Sequence, residues 1–300
     1  MTKTETFPLQ AFLAQEVKEI DRVLAQWVPG EETPPVSIHK AMRYSLFAGG
    51  KRIRPILGIA AARAVSDSPD GVENAVCALE LIHTYSLIHD DLPALDNDDL
   101  RRGRPTCHKV FGEAMAILAG DSLLTLAFEV LSRLSGVSAE TKIRLVEELA
   151  RASGTVGGMI GGQVHDIEGE RKPPTARLLE SIHSAKTGAL LRASVRMGAI
   201  YAGATDEELA ALSGYGEHVG LAFQIVDDVL DVEESSEALG KTAGKDQAQQ
   251  KITFPAVYGL ERSREMAEEE RLAAHLALRI FDDRADRLRQ IADYIVRRKA

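Results

Sequence analysis

Apolar positions recur every three to four residues along nearly the whole chain, and period-two runs of β-branched residues are scarce. In the first stretch, 7–28, Leu9, Leu13, Val17, Ile20 and Leu24 share one helical face. The same spacing predicts helices at 38–46, 53–64, 73–91, 111–134, 141–154, 175–203, 207–231, 261–274 and 282–295. The last two carry dense charge and suit the outside of a bundle. The glycine-rich run 155–162 contains Met159 and Ile160, which fits a kink or close helix–helix approach better than a phosphate cradle. The polar segment 235–250 reads as a loop or movable flap. With no Gly/Ser-rich or Pro-rich linker, the pattern predicts an all-α helical bundle with residues 1–300 in a single domain.

Composition narrows the function classes. A 300-residue chain with 45% hydrophobic and 27% charged residues can bury a large core without disulfides or a structural metal. Its net charge of -9 argues against a general nucleic-acid or anionic-membrane surface. The two cysteines, Cys77 and Cys107, form neither a metal motif nor a disulfide framework. Residues 1–10 lack the basic and apolar regions of a signal peptide, and no uninterrupted apolar run approaches 18 residues. A cytosolic protein without stable membrane association is therefore expected.

Two aspartate clusters dominate the candidate chemistry: Asp90-Asp91-Leu92-Pro93-Ala94-Leu95-Asp96 and Asp227-Asp228-Val229-Leu230-Asp231. Each ends an apolar run, where closely packed carboxylates are costly unless cations neutralise them. Asp227 and Asp231 share a helix face, Gln224 falls near the same side, and Asp228 lies about 100° round. Asp96 would point away from Asp90 on an unbroken helix, so Leu92-Pro93 is expected to turn the chain and bring it back. A lone acid cluster is most often a solvated helix cap. Two of them at the ends of apolar helices suggest opposite walls of one cavity, bridged to a diphosphate by hard divalent cations.

Basic groups accompany the acids. Gly49-Gly50-Lys51-Arg52-Ile53-Arg54 sets Lys51 and Arg54 at a helix start, and Arg101-Arg102-Gly103-Arg104 follows the first acid cluster. Lys186-Thr187 interrupts an apolar helix, and Lys241, Lys245 and Lys251 lie in and after the polar segment. His83, one turn before Leu87, is either a core histidine or a donor to a phosphate oxygen. The chain has no nucleophile elbow, dinucleotide fingerprint or Walker-type loop.

These motifs, in this order, resemble those of the trans-isoprenyl diphosphate synthases, most nearly the bacterial farnesyl diphosphate synthase group. The stretch from Ser86 to His108 is similar to the family's first aspartate-rich motif, including its two extra residues, and that from Phe223 to Asp231 to the second. Gly50-Lys51-Arg52-Ile53-Arg54-Pro55 and Gly240-Lys241-Thr242-Ala243-Gly244-Lys245-Asp246 fall where the family has its basic motifs. The resemblance implies an all-helical homodimer with a deep cavity in each subunit. It implies three Mg²⁺ held by Asp90, Asp91, Asp96, Asp227 and Asp231 on the allylic diphosphate, dimethylallyl or geranyl. Arg102, Lys186, Lys241 and Lys251 would neutralise the same group, with Thr187 and Gln224 lining the reacting region and Gln163 and Asp166 supporting it. Lys51, Arg54, His83 and Arg101 would hold isopentenyl diphosphate.

The implied reaction ionises the allylic diphosphate, joins the cation to the isopentenyl double bond and loses a proton, most plausibly to the departing diphosphate. Closure of 235–250 would exclude water. A terpene cyclase would replace the second aspartate motif and lack the second diphosphate site, and a non-catalytic dimerisation subunit would have lost acids. This chain keeps both motifs. Product length is expected to rest on Tyr85, next to Ser86 and five residues before Asp90. In the family a bulky aromatic there limits growth to fifteen carbons, so farnesyl diphosphate is the expected product and geranylgeranyl diphosphate the alternative.

Overall fold

The computed structural model describes residues 8–169, 173, 175–233 and 252–298. Amphipathic and apolar stretches become α1 (Leu9–Trp27), α2 (Val36–Leu46), α3 (Ile53–Val65) and α4 (Val72–Asp90). A two-stranded antiparallel hairpin, β1 (Leu100–Arg101) with β2 (Arg104–Pro105), precedes α5 (Cys107–Phe111), α6 (Glu113–Ser132), α7 (Ala139–Ser153) and α8 (Met159–Gly169). Then come α9 (Ala176–His183), a π-helical turn (Ser184–Gly188), α10 (Ala189–Tyr201) and α11 (Asp206–Glu233). After the undescribed 234–251 come α12 (Phe254–Tyr258), α13 (Leu260–Ala277) and α14 (Asp286–Arg297). The fold is all-α, as the periodicity predicts.

Helices α3 and α4 are apolar nearly all round and are buried accordingly, at the centre of the bundle. Around them pack α6, α10 and α11, with α13 and α14 outside. Close approach is set by glycine: a Cβ on Gly198 of α10 would overlap the Gly58 backbone of α3. On its outward face α6 exposes Ile117 and Leu118 between Glu113 and the polar Asp121, Thr125 and Glu129. Among the described residues it is the one helix long and apolar enough to cross a bilayer, although no uninterrupted apolar run predicts one. Its other face, Ala116, Ala119, Leu123 and Ala127, is buried in the same core as α4, which is the behaviour of a core helix.

Three elements depart from the periodic reading. The 111–134 helix breaks at Gly112, whose φ of 84° ends α5 and starts α6. The 175–203 helix contains the π turn at 184–188. The 155–162 run leads into α8, a helix the pattern does not predict because four glycines in eight residues mask it. The expected close approach is present: a Cβ on Gly162 would collide with the backbone of Lys186.

Candidate active site

The loop entering α3 is shaped by positive φ angles at Gly49 (91°), Gly50 (138°) and Arg52 (48°). Arg52 tolerates the left-handed region because its buried side chain is fixed by three partners: Asp21 at 2.9 Å, Glu80 at 2.7 Å and the Leu46 carbonyl at 2.6 Å. It is an anchor, and it directs its neighbours. Lys51 is exposed, whereas Arg54 is buried with no hydrogen-bond partner at Nε. Burial pushes the Arg54 guanidinium down from its ordinary pKa, partly opposed by the charges of Glu80 and Asp227.

Helix α4 ends at Asp90, and the chain folds back over its end as Leu92-Pro93 requires. The Asp96 amide donates to the Asp90 carbonyl at 2.8 Å, and those of Asn97 and Asp98 donate to Leu92 and Asp91 at 3.1 and 3.2 Å. Asp96 therefore returns to the helix end. Burial, with the charges of Asp96 and Asp91, pushes the Asp90 carboxyl up to about 6, against the pull of Lys186. Burial also raises Asp91, although Arg101 bonds it, through Nε at 3.0 Å and through Nη2. On the same hairpin Arg102, at φ 54°, donates to the Gly49 carbonyl. A Cβ on Gly50 would lie 2.8 Å from the Arg102 guanidinium, so glycine is what admits that arginine. Arg101 thus stands with the aspartates and Arg102 with the Lys51 loop, the opposite of the division the resemblance implies.

The π turn carries Lys186 and Thr187. A π bulge widens the helix by one residue, a device frequent at functional sites. It seats the Lys186 ammonium 2.6 Å from Asp166 on α8. On α11, Asp227 is partly exposed and bonds Arg298, whose guanidinium also stacks 4.3 Å from the Phe223 ring centroid. Asp231 lies half-buried one turn further on. Asp228 is buried and accepts from Gln224 at 2.8 Å and from the Phe254 amide at 2.9 Å. Asp228 thereby ties α11 to the start of α12, with Gln224 bonded to its other oxygen. Neither sequence pattern nor charge singles out Arg298, because a basic chain end is ordinary. His89, which the structure sets between Tyr85 and α6, is equally silent in sequence.

A cleft of about 290 Å³ joins the end of α4 to α8 and the π turn, and the α11 aspartates are not among its lining residues. Arg54, His83, Tyr85, Ser86, His89 and Asp90 line one side, and Met159, Ile160, Gln163, Val164, Lys186 and Thr187 the other, with Leu95 at the turn. Burial holds the His83 imidazole well below its usual pKa, with the Arg54 charge next in size, so it faces the cleft as a neutral ring. Lys241, Lys245, Lys251 and the 235–250 flap lie outside the described residues. Among the described residues no three His, Cys, Asp or Glu side chains gather at one point. The donors are nonetheless hard carboxylate oxygens, with Asp90 lining the cleft at the end of α4 and Asp96 returned beside it. Magnesium uses one or two protein carboxylates and completes its shell with water and phosphate oxygens, so this donor set fits it.

Residues 35–295 match the polyprenyl synthetase family profile. Geranylgeranyl pyrophosphate synthase 12 of Arabidopsis thaliana is 48% identical over 96% of this chain and 81% of its own length. The crystal structure of geranylgeranyl pyrophosphate synthetase from Pyrococcus horikoshii superposes with a TM-score of 0.89 at 33% identity, over 97% of this chain and 98% of that one. An FPP/GFPP synthase from Zymomonas mobilis gives 0.85 at 38%, over 96% and 98%. The Arabidopsis and Pyrococcus relatives are geranylgeranyl synthases, so the likeness does not single out the bacterial farnesyl group. The Arabidopsis protein is chloroplastic, which overturns the expectation of a cytosolic enzyme. An organelle address is read by receptors and leaves no mark on the composition of a catalytic bundle. The shared fold, the cleft that joins Asp90 to Arg54 and Lys186, and the match over most of its length agree: the chain belongs to the polyprenyl synthetase family and is a prenyltransferase.

Proposed function

We propose that the protein condenses isopentenyl diphosphate head-to-tail with allylic diphosphates and releases diphosphate. One observation carries this reading. A buried cation with an unpartnered Nε, Arg54, faces the same cleft as the Asp90 carboxyl and the Lys186 ammonium. Such a cleft asks for an anion at one end and for cations with a second anion at the other. Lys51, Arg54, His83 and Arg102 suit the isopentenyl diphosphate. Arg101, Lys186 and Thr187 suit the allylic diphosphate, with Lys241 and Lys251 as further expected partners. This exchanges the two hairpin arginines relative to the sequence expectation, and their bonds to Asp91 and Gly49 support the exchange.

Mg²⁺ held by Asp90, Asp91 and Asp96 on one wall and Asp227 and Asp231 on the other would neutralise charge on the leaving diphosphate when bound. The chain's own groups do the rest. Lys186, fixed by Asp166, and Arg101, fixed by Asp91, present positive charge where the C–O bond breaks. Tyr85, Leu95, Met159 and Val164 line the cleft with apolar surface and keep water from the allylic cation. The departing diphosphate is the expected acceptor of the proton. A homodimer is supported by the outward face of α6, where Ile117 and Leu118 are exposed beside half-buried Leu124 and Phe128.

We assign a twenty-carbon product, geranylgeranyl diphosphate, on the strength of the 48% identical Arabidopsis synthase. Tyr85 favours a second reading, farnesyl diphosphate. Its ring lines the cleft one turn before His89, and its buried hydroxyl has no partner. Labelled isopentenyl diphosphate, incubated with dimethylallyl, geranyl or farnesyl diphosphate and Mg²⁺, tests both. Chromatography of the dephosphorylated products should show twenty carbons. A terminal fifteen-carbon product would establish the second reading, with Tyr85→Ala then lengthening it. No incorporation with any acceptor would end the prenyl-transfer proposal.

A further inference from the structure

We infer that Gly120, on α6 and outside the cleft, determines product length by giving the His89 imidazole a seat away from the growing chain. The inference rests on the elongation reading above. His89 follows Tyr85 by one turn of α4 and lines the cleft with it, the two rings meeting edge to face with centroids 5.7 Å apart. On its far side the imidazole lies against α6, with Nε2 3.1 Å from the Ile117 carbonyl and 3.9 Å from the Asp121 carboxylate. That seat exists because residue 120 has no side chain. A Cβ there would lie 2.9 Å from Cε1 of His89 and nearer still to Cδ2 and Nε2.

A methyl group at this position leaves the ring few directions. Tyr85 blocks movement along α4. Movement of α6 itself is opposed by Ala116, Ala119 and Leu123, which are fully buried in the core shared with α4. The remaining space is the cleft, where a displaced imidazole would narrow the passage beside Tyr85. The hydrocarbon tail has to pass there as it extends along α4 from a diphosphate at Asp90. A glycine that touches no substrate thus sets the width available to the product.

The test compares wild type, Gly120→Ala, His89→Ala and the double variant, scoring product length from dimethylallyl diphosphate. Gly120→Ala should shorten the dominant product by at least one isoprene unit, with the first condensation within about threefold of wild type. The double variant should lose the shortening, because no ring remains to be displaced. Unchanged product from a folded Gly120→Ala, or a double variant as short as the single, would overturn the inference. Should Gly120→Ala fail to fold by circular dichroism, His89→Trp decides, because its larger ring outgrows the seat that Gly120 leaves: shorter products support the inference, and an unchanged distribution overturns it. A wild type that elongates nothing would instead bring down the prenyl-transfer reading itself.

Discussion

Arg54→Met separates binding from stability at one position. Methionine keeps much of the stem volume and removes the guanidinium. In the unliganded protein that guanidinium is buried, its Nε has no partner, and burial already disfavours its charge. A buried unsatisfied donor costs about 1–3 kcal/mol. Favourable charge from Glu80 and Asp227 offsets part of this, so the variant should gain roughly 1 kcal/mol. For a chain of this size that raises Tm by about 1.5–2 °C. Ligand reverses the order. Diphosphate at a hundred times its Kd stabilises wild type by about 2.7 kcal/mol. Losing a charge-assisted hydrogen bond, worth about 1.5–3 kcal/mol, weakens binding on the order of 10- to 100-fold and erases about half or more of that gain. Thermal unfolding with and without inorganic diphosphate and Mg²⁺ measures both terms. KM for isopentenyl diphosphate should rise while that for the allylic substrate stays near wild type. A variant less stable than wild type without ligand, or one with an undiminished diphosphate shift, would refute the reasoning. A KM raised only for the allylic substrate would reverse the assignment of sites.

Arg52→Ala should cost about 3–5 kcal/mol, because Glu80, 2% exposed, is left buried without its partner; a urea midpoint within error of wild type would contradict this. His183, pushed down to about 4 by burial, is neutral in the fold, so its contribution is present above pH 6.5 and lost as pH falls from 6.5 through about 4. His183→Gln should flatten the loss of urea stability across that window, and an unaltered slope would remove His183 from the account. Asp90→Ala and Asp227→Ala should keep the helical circular dichroism and lower turnover by at least about 10², as each removes charge acting on the leaving group. Near-wild-type rates with unchanged Mg²⁺ dependence would sink the metal assignment.

The two aspartate motifs, Lys51, Arg54 and Lys186 could be singled out as candidates from the sequence because chemistry restricts such groups by type and spacing. The helical architecture was legible, because burying one face of a helix imposes a period of 3.6 residues wherever it occurs. The turn that returns Asp96 to Asp90 could be argued from Pro93 alone. What stayed illegible depends on partners distant in the chain. Arg52 looks as suitable for phosphate as Arg54, and only the fold, by bringing Asp21 and Glu80 to it, makes it an internal anchor. Arg101 and Arg102 are adjacent and alike. The hairpin sends one to Asp91 and the other to Gly49. Asp228 shares a motif with Asp227 yet is spent on Gln224 and the Phe254 amide. Helix α8 hides behind glycines whose purpose appears only once the π turn of Lys186 packs against Gly162. Sequence periodicity reports which face of each element is buried. Which side chain meets which is decided by how the helices pack, and the division of labour among neighbouring charges is a property of that packing.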